Sequence, residues 1–280
     1  MRHARLVAWV LAVTLGTLLA GCGLITGIGR TPTAPSSATP LAVAPSRTAH
    51  KTPLRMSLPE PLQPVSHIAH AASPHLTVYA APPDAPRPVP VYWFGSPAGN
   101  HVYITIDDGW APSTRVLVYL ERTHLPVTAF LIRNAMAEHL AYWKAFVAAG
   151  GVVEDHTVSH PDLVYQPYAQ QVAQWQGERT AQAAWLGTTA TLGRPPYGGL
   201  NETVEQAAAA AGLKGIVMWS ASMGPHGLVT WNGRPVQAGD IILLHWDPGL
   251  YRELMTLLQI LAQRHLTPAP LLSGLPVAGP

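Results

Sequence analysis

The chain has 280 residues, of which 48% are hydrophobic and only 11% charged, with a formal net charge of +2. So little charge excludes a disordered polyelectrolyte, and with no basic run nothing points to nucleic acid. A single cysteine, Cys22, excludes an intramolecular disulfide.

Arg2, His3 and Arg5 precede an apolar run from Leu6 to Ala20, which leads into Leu19-Ala20-Gly21-Cys22. This is the three-part pattern of a secretory signal, and its apolar stretch is short for a membrane span; the alternative is an uncleaved transmembrane anchor. A lone cysteine directly after Leu-Ala-Gly resembles the lipobox of bacterial lipoproteins. The resemblance implies a signal peptide over residues 1–21, a lipid on Cys22, and a chain tethered outside the cytoplasmic membrane in the cell envelope. Half of the 28 prolines fall between Thr31 and Pro90, mixed with Ala, Ser and Thr. Residues 22–88 therefore read as a largely disordered linker, whose end-to-end distance as a flexible coil would be about 45 Å. Residues 89–280 are enough for one domain with a substantial core.

Within that domain, short β-branched or apolar runs alternate with longer amphipathic ones. Strands are expected at Val102–Ile106, Val127–Ile132, Gly151–Val153, Ile216–Trp219 and Ile241–Leu244. Helices are expected at Ser113–Arg122, Met136–Ala149, Ala169–Trp185, Glu202–Ala211 and Tyr251–Arg264. Repeated strand–helix units argue for an α/β fold with parallel strands, either a doubly wound sheet or a β/α barrel. In both, ligands bind at the C-terminal ends of the strands.

Polar residues accumulate at those ends: Asp107-Asp108-Gly109 after the first strand, Glu154-Asp155-His156 after the third, and His245 after the last. Adjacent carboxylates repel, so one is pushed toward protonation unless a cation or positive side chain is near. His156 and His160 are spaced one helical turn apart and would face one point if the segment is helical. Among 13 histidines such a pair arises by chance about as often as not, so the spacing counts only together with the carboxylates. Two histidines and one carboxylate form a common divalent-metal set that leaves positions open for water and substrate. One aspartate would bind the metal, and the other would take a proton from the water that the metal acidifies. The alternative for the pair is a turn or helix cap before Pro112.

Four segments occur in an order that resembles the polysaccharide deacetylases, the NodB-type carbohydrate esterases. They are Thr105-Ile106-Asp107-Asp108-Gly109, His156-Thr157-Val158-Ser159-His160-Pro161-Asp162-Leu163, Arg194-Pro195-Pro196-Tyr197-Gly198 and Leu243-Leu244-His245. The resemblance implies a distorted (β/α) barrel of about seven strands and metal-dependent removal of N-acetyl groups from amino sugars of peptidoglycan or another cell-surface glycan. It implies a divalent metal, zinc before cobalt or another ion, bound by Asp108, His156 and His160. Asp107 would be the general base, held by Arg194, a charge-assisted pairing. The backbone N–H of Tyr197 would help stabilise the oxyanion, a contribution of about 3 kcal/mol per donor. His245 would protonate the leaving amine, and Leu243 and Trp219 would line the substrate pocket. Each also has an ordinary structural reading: a surface arginine, a Pro-Pro turn, a hydrogen-bonded core histidine. The expected assembly is a monomer.

One motif departs from the pattern. Where the family carries Trp-x-x-Asp-x-x-Asp-Trp, this chain reads Trp219-Ser220-Ala221-Ser222-Met223-Gly224-Pro225-His226, without either aspartate. The resemblance then leaves His245 without the carboxylate that orients it, and Asp247 could substitute only if the chain does not turn near Gly249. Asp155 stands where an asparagine is common, and reads as an N-cap for a helix bearing the two histidines. Besides an N-deacetylase, a metal-dependent hydrolase of a non-sugar amide and a non-catalytic wall-binding lipoprotein therefore stay open. Asp107 and Arg194 weigh against the last, because a purely structural metal needs neither.

Overall fold

The computed structural model describes residues 79–277. The expected signal peptide, Cys22 and the linker as far as residue 78 lie outside the described residues, and the end of that linker, Tyr79–Pro88, carries neither strand nor helix. Among the described residues no helix is long and apolar enough to cross a membrane.

The first half of the domain runs β1 (Val91–Tyr92), β2 (His101–Asp108), α1 (Thr114–Thr123), β3 (Thr128–Leu131), α2 (Arg133–Glu138), α3 (Leu140–Ala148), β4 (Val152–Asp155) and α4 (Tyr168–Leu186). The second half runs β5 (Leu192–Gly193), α5 (Glu202–Ala210), β6 (Gly215–Val217), β7 (Ala221–Gly224), β8 (Gly227–Thr230), β9 (Ile241–His245), α6 (Leu250–Gln263) and β10 (Thr267–Pro268). The sheet order is β1-β6-β5-β4-β3-β2-β9-β7-β8, with β10 added to the start of β2. Every pair along it is parallel except the β7–β8 hairpin. The sheet curls into a distorted, incompletely closed β/α barrel, and its two free edges approach where Trp93, after β1, meets Trp231, after β8, with ring centroids 5.6 Å apart.

Central strand β2 is buried on both faces, as a parallel strand covered by helices must be. Ile104 and Ile106 join Val116, Leu120, Trp143, Leu254 and Leu257 in the layer beneath the helices. Tyr103 alternates to the other face and packs with Phe130, Val217, Ile241 and Leu271 in the concave interior. Thr105 and Asp107 follow Tyr103 at the same period, so the interior turns from apolar to polar toward the C-terminal end of β2. Local signals start and stop the helices. Ser113 caps α1 by accepting from Val116 N (3.4 Å), Asn201 caps α5 by accepting from Val204 N (2.9 Å), and left-handed His124 ends α1.

The helix expected over Met136–Ala149 is two helices, broken at His139 (φ −128°, ψ 34°). The break lets α3 bury Trp143 and Phe146, while the first N–H groups of α2 serve another segment: Arg133 N donates to Thr157 O (3.0 Å) and Asn134 N to Val158 O (3.1 Å). Strands β1, β5, β7, β8 and β10 were not expected. Two-residue strands have no periodicity to read, and β7–β8 is threaded through Gly224-Pro225-His226-Gly227, which reads as a turn.

Beneath the end of β4 lies a knot of buried carboxyls, Glu154, Asp155 and Glu178. Glu154 accepts from Thr191 N (2.7 Å) and Leu192 N (2.8 Å), tying β4 to β5. Burial, only partly offset by those hydrogen bonds and by Arg179, pushes Glu154 up to about 7. Burial likewise raises Asp155 and Glu178, and the neighbouring Asp155 carboxylate raises Glu178 further. Carboxyls whose folded pKa is raised contribute stability that is complete below about pH 4.5 and is lost as pH rises through the folded value. Thermal stability should therefore fall between pH 5 and pH 8. Glu178→Gln removes an ionisable group from this buried site, so it should raise the midpoint at pH 8 by a few degrees, 1 kcal/mol being worth roughly 2–4 °C, with little gain at pH 5. Thermal melts of the two proteins across that range check it, and a lower midpoint for Glu178→Gln at pH 8 would show that Glu178 folds ionised.

Candidate active site

Successive residues of a strand point to opposite faces, so Asp107 and Asp108 should diverge. They do not, because Asp108 takes the left-handed conformation (φ 79°), which Asp tolerates better than most residues. The turn brings both carboxylates into one cleft of about 330 Å³ at the C-terminal ends of the strands, shared with His156, His160, Leu243 and His245.

Arg194, after β5, crosses the barrel interior with no exposure. It donates from Nη1 to Asp107 Oδ1 (2.7 Å) and Thr105 Oγ1 (2.9 Å), from Nε to Val217 O (2.9 Å) and from Nη2 to Met218 O (3.1 Å). The guanidinium also sits over the Phe130 ring, 4.2 Å from its centroid. Burial lowers the pKa of this group and Asp107 opposes the shift. Asp107 Oδ2 is left facing the cleft, 3.8 Å from His156 Nε2.

The segment bearing the two histidines is a loop rather than the helical turn on which their shared facing was expected to depend. Asp155 caps no helix: its Oδ1 accepts from Thr157 N (2.8 Å) inside that loop. Thr157 (φ 71°) and His160 (φ 61°) are both left-handed, and for a β-branched threonine this is strained. The strain is held by neighbours. Thr157 Oγ1 accepts from His160 N (3.1 Å), Gln174 Oε1 on α4 accepts from Val158 N (3.0 Å) and Ser159 N (3.1 Å), and α2 donates to the Thr157 and Val158 carbonyls. Two left-handed reversals of the backbone thus achieve the convergence that one helical turn would have supplied.

Those constraints aim the imidazoles. His156 Nδ1 lies 2.6 Å from Arg194 O, a carbonyl that can only accept, so Nδ1 carries the proton and Nε2 is a bare acceptor. The Nε2 atoms of His156 and His160 are each 3.4 Å from Asp108 Oδ1. Ligand atoms of all three residues lie within 4.8 Å of one another, and Asp108 Oδ1 is buried without a hydrogen-bond partner. Acceptors converging without a donor between them are what a divalent cation requires, and the histidine–carboxylate set suits zinc or a similar ion. Burial raises the Asp108 carboxyl, and positive charge on the imidazoles of His156, His160 and His245 opposes that and holds it below its ordinary range; a cation held by these groups would act in the same sense. Burial and the neighbouring His156 lower the pKa of His160, which favours the neutral form that metal binding would require.

His245 ends β9 in register with Asp107 and is exposed to the cleft, with Leu243 two residues earlier on the same face. Among the described residues its ring makes no hydrogen bond. Asp247 is drawn into the turn expected at Gly249, where Oδ1 accepts from Gly249 N (2.6 Å), so it does not take the place of the missing aspartates. Ser222 pairs with Leu243 on the neighbouring strand. Tyr197 sits in a tight turn with φ 59°, its ring 71% exposed and 4.6 Å from that of His160, and Trp219 borders the cleft beside it. Gly198 follows at φ 71°, where a Cβ would come within 3.0 Å of the Trp219 ring. Sequence reasoning missed Thr105 and Gln174. Thr105 was detectable, since it lies two residues before Asp107 on the same strand face; Gln174 was not, because it arrives from a helix 15 residues downstream of the loop it holds.

A family model described as polysaccharide deacetylase matches residues 95–216. A chitooligosaccharide deacetylase from Bradyrhizobium is 31% identical over 168 residues, which are 56% of this chain and 76% of that protein. A bifunctional xylanase/xylan deacetylase from Cellvibrio japonicus is 33% identical over 163 residues, 54% of this chain, and the chain spans only 24% of its length. Among solved structures, a CE4 family pseudoenzyme from Bacillus anthracis shares the fold with a TM-score of 0.57 at 20% identity, over 66% of this chain and 68% of that one. The departing fourth motif, Trp219–His226, lies beyond the end of the family match.

If the three acceptors hold a metal, His156→Ala and His160→Ala should each lower its stoichiometry in purified protein from about one per chain to well under half. Elemental analysis reads this directly. Metal content unchanged in both variants would remove these residues as ligands.

Proposed function

This chain belongs to the polysaccharide deacetylase family, and on that premise we propose that it removes N-acetyl groups from amino sugars of peptidoglycan or another cell-surface glycan, with a divalent ion held by Asp108, His156 and His160. The observation that carries the reading is the buried Arg194–Asp107 pair beside those three acceptors, with Asp107 Oδ2 free toward the cleft. When bound, such an ion supplies Lewis-acid polarisation of the acyl oxygen and acidifies water.

The remaining chemistry belongs to the chain. Asp107 takes a proton at Oδ2 from the attacking water, while Arg194 occupies Oδ1 and fixes the plane of the carboxylate. The N–H of Tyr197, at the mouth of the cleft, adds a donor to the developing oxyanion. His245, across the cleft on β9, delivers a proton to the departing amine. Leu243 and Trp219 give the acetyl methyl an apolar wall. One observation favours a second reading, a related hydrolase of a non-sugar amide: among the described residues no carboxylate is hydrogen-bonded to the His245 ring.

The N-terminal pattern ending at Cys22 supports a lipid-tethered protein in the cell envelope, with the Pro-rich segment as its reach. Cys22→Ser should leave the precursor uncleaved or move the protein out of the membrane fraction. Mass spectrometry finding an unmodified Cys22 on a mature chain would end that part of the reading.

Acetate release from a panel of N-acetylated glycans and simple acetamides, with and without chelator, tests the activity. Chelation should abolish release, and Asp107→Asn should lower kcat by about 10²-fold or more while metal content is kept. Loss of metal in Asp107→Asn would mean that the two aspartates exchange roles; release from acetamides alone would favour the second reading.

A further inference from the structure

Where the barrel fails to close, a second cleft of about 420 Å³ opens beside the first. Trp93 and Trp231 form its walls, tilted at 54° to each other, and Tyr197, Gly198 and Trp219 line both clefts, so the two are continuous. Trp93, Trp231 and Tyr197 are 38%, 53% and 71% exposed. Clustered aromatic faces left in water mark a binding surface. No Asp, Glu, Lys or Arg is among the lining residues, whose polar groups include the hydroxyls of Ser222 and Thr230.

The walls are held in place without a ligand. Trp231 N donates to Ser220 O (3.0 Å), Ser220 Oγ donates to Asp240 Oδ1 (2.7 Å), and Arg234 pairs with both oxygens of Asp240. Arg234 also stands over Phe94, the neighbour of Trp93. A preorganised pocket of this size, apolar on its walls and uncharged, fits a neutral ligand with flat C–H faces and hydroxyl edges.

We propose that this cleft is a subsite for a neighbouring neutral pyranose ring of the same glycan, stacked on the exposed face of the Trp93–Trp231 pair while the acetylated sugar lies at Asp107 and Asp108. The proposal rests on the deacetylase reading for the identity of the chain it grips. The β7–β8 hairpin that carries Trp231 stands where the fourth motif departs from the family, so that stretch serves substrate length here. A substrate of several sugars would bridge both clefts; a single sugar would fill one.

Calorimetric titration of the chelator-treated full chain with N-acetylglucosamine and with its β-1,4-linked tetramer tests this without turnover. The tetramer should bind about tenfold or more tightly than the monomer. Trp231→Ala and, separately, Trp93→Ala should reduce that ratio to within about twofold with the thermal midpoint unchanged, and Trp231→Tyr should restore most of it. Equal affinity for the two ligands, or a ratio that survives both alanine variants, would overturn the subsite. In the metal-loaded protein, kcat/KM should show the same length dependence. Length-dependent, Trp231-dependent binding without acetate release would leave the subsite standing and sink the deacetylase reading; acetate release indifferent to length and to Trp231 would do the reverse.

Discussion

A guanidinium with no water around it governs the centre of this barrel. Arg194 can be buried only because Asp107, Thr105 and two carbonyls satisfy its donors, and removing one partner of such a pair costs about 3–5 kcal/mol. The same residue accepts from His156 Nδ1 through its own carbonyl and donates its N–H to Asp155 O (2.9 Å). Asp107, His156 and the strand end beneath them are thus referenced to one side chain. Lysine could not replace it, since a point charge has no planar fork to reach four acceptors at once.

Around that anchor the backbone carries strain. Asp108, His160 and Tyr197 border the cleft with positive φ, and Thr157, buried beneath it, has positive φ as well. The reversals at Asp108, Thr157 and His160 turn groups that regular strand or helix geometry would send elsewhere: the second carboxylate and the histidine loop. Hydrogen bonds from α2 and α4 hold the histidine loop, so helices packed outside the barrel position ligands at its mouth. The buried Asp155–Glu178 pair belongs to the same support, and its cost in stability at neutral pH is the kind commonly found where a fold serves a site.

The open seam of the barrel follows from the edge strands. β1 has only two residues and β8 belongs to a short hairpin, so neither offers a ladder long enough to close the sheet, and aromatic contact replaces hydrogen bonds there. A closed wall would leave one small cleft; the seam extends it to one that can take a chain.

Strands β2, β3, β4, β6 and β9 and the helical segments, apart from the break at His139, were legible because they repeat at periods of 2 and 3.6 or form compact apolar runs, and the resemblance of four ordered motifs led from there to the barrel and the expected ligand set. Asp107, Asp108, His156, Arg194 and His245 were identified as one site because all stand at strand ends, which parallel topology brings together. Tertiary structure alone decided the rest. That the histidine segment is a strained loop depends on donors from α2 and an acceptor on α4, which are distant in sequence. That Asp108 turns back toward Asp107 depends on one φ angle, and no residue pattern encodes that angle uniquely. The meeting of Trp93 with Trp231 joins segments more than a hundred residues apart, and it exists because the curl of the sheet, a property of all its strands together, stops just short of closure.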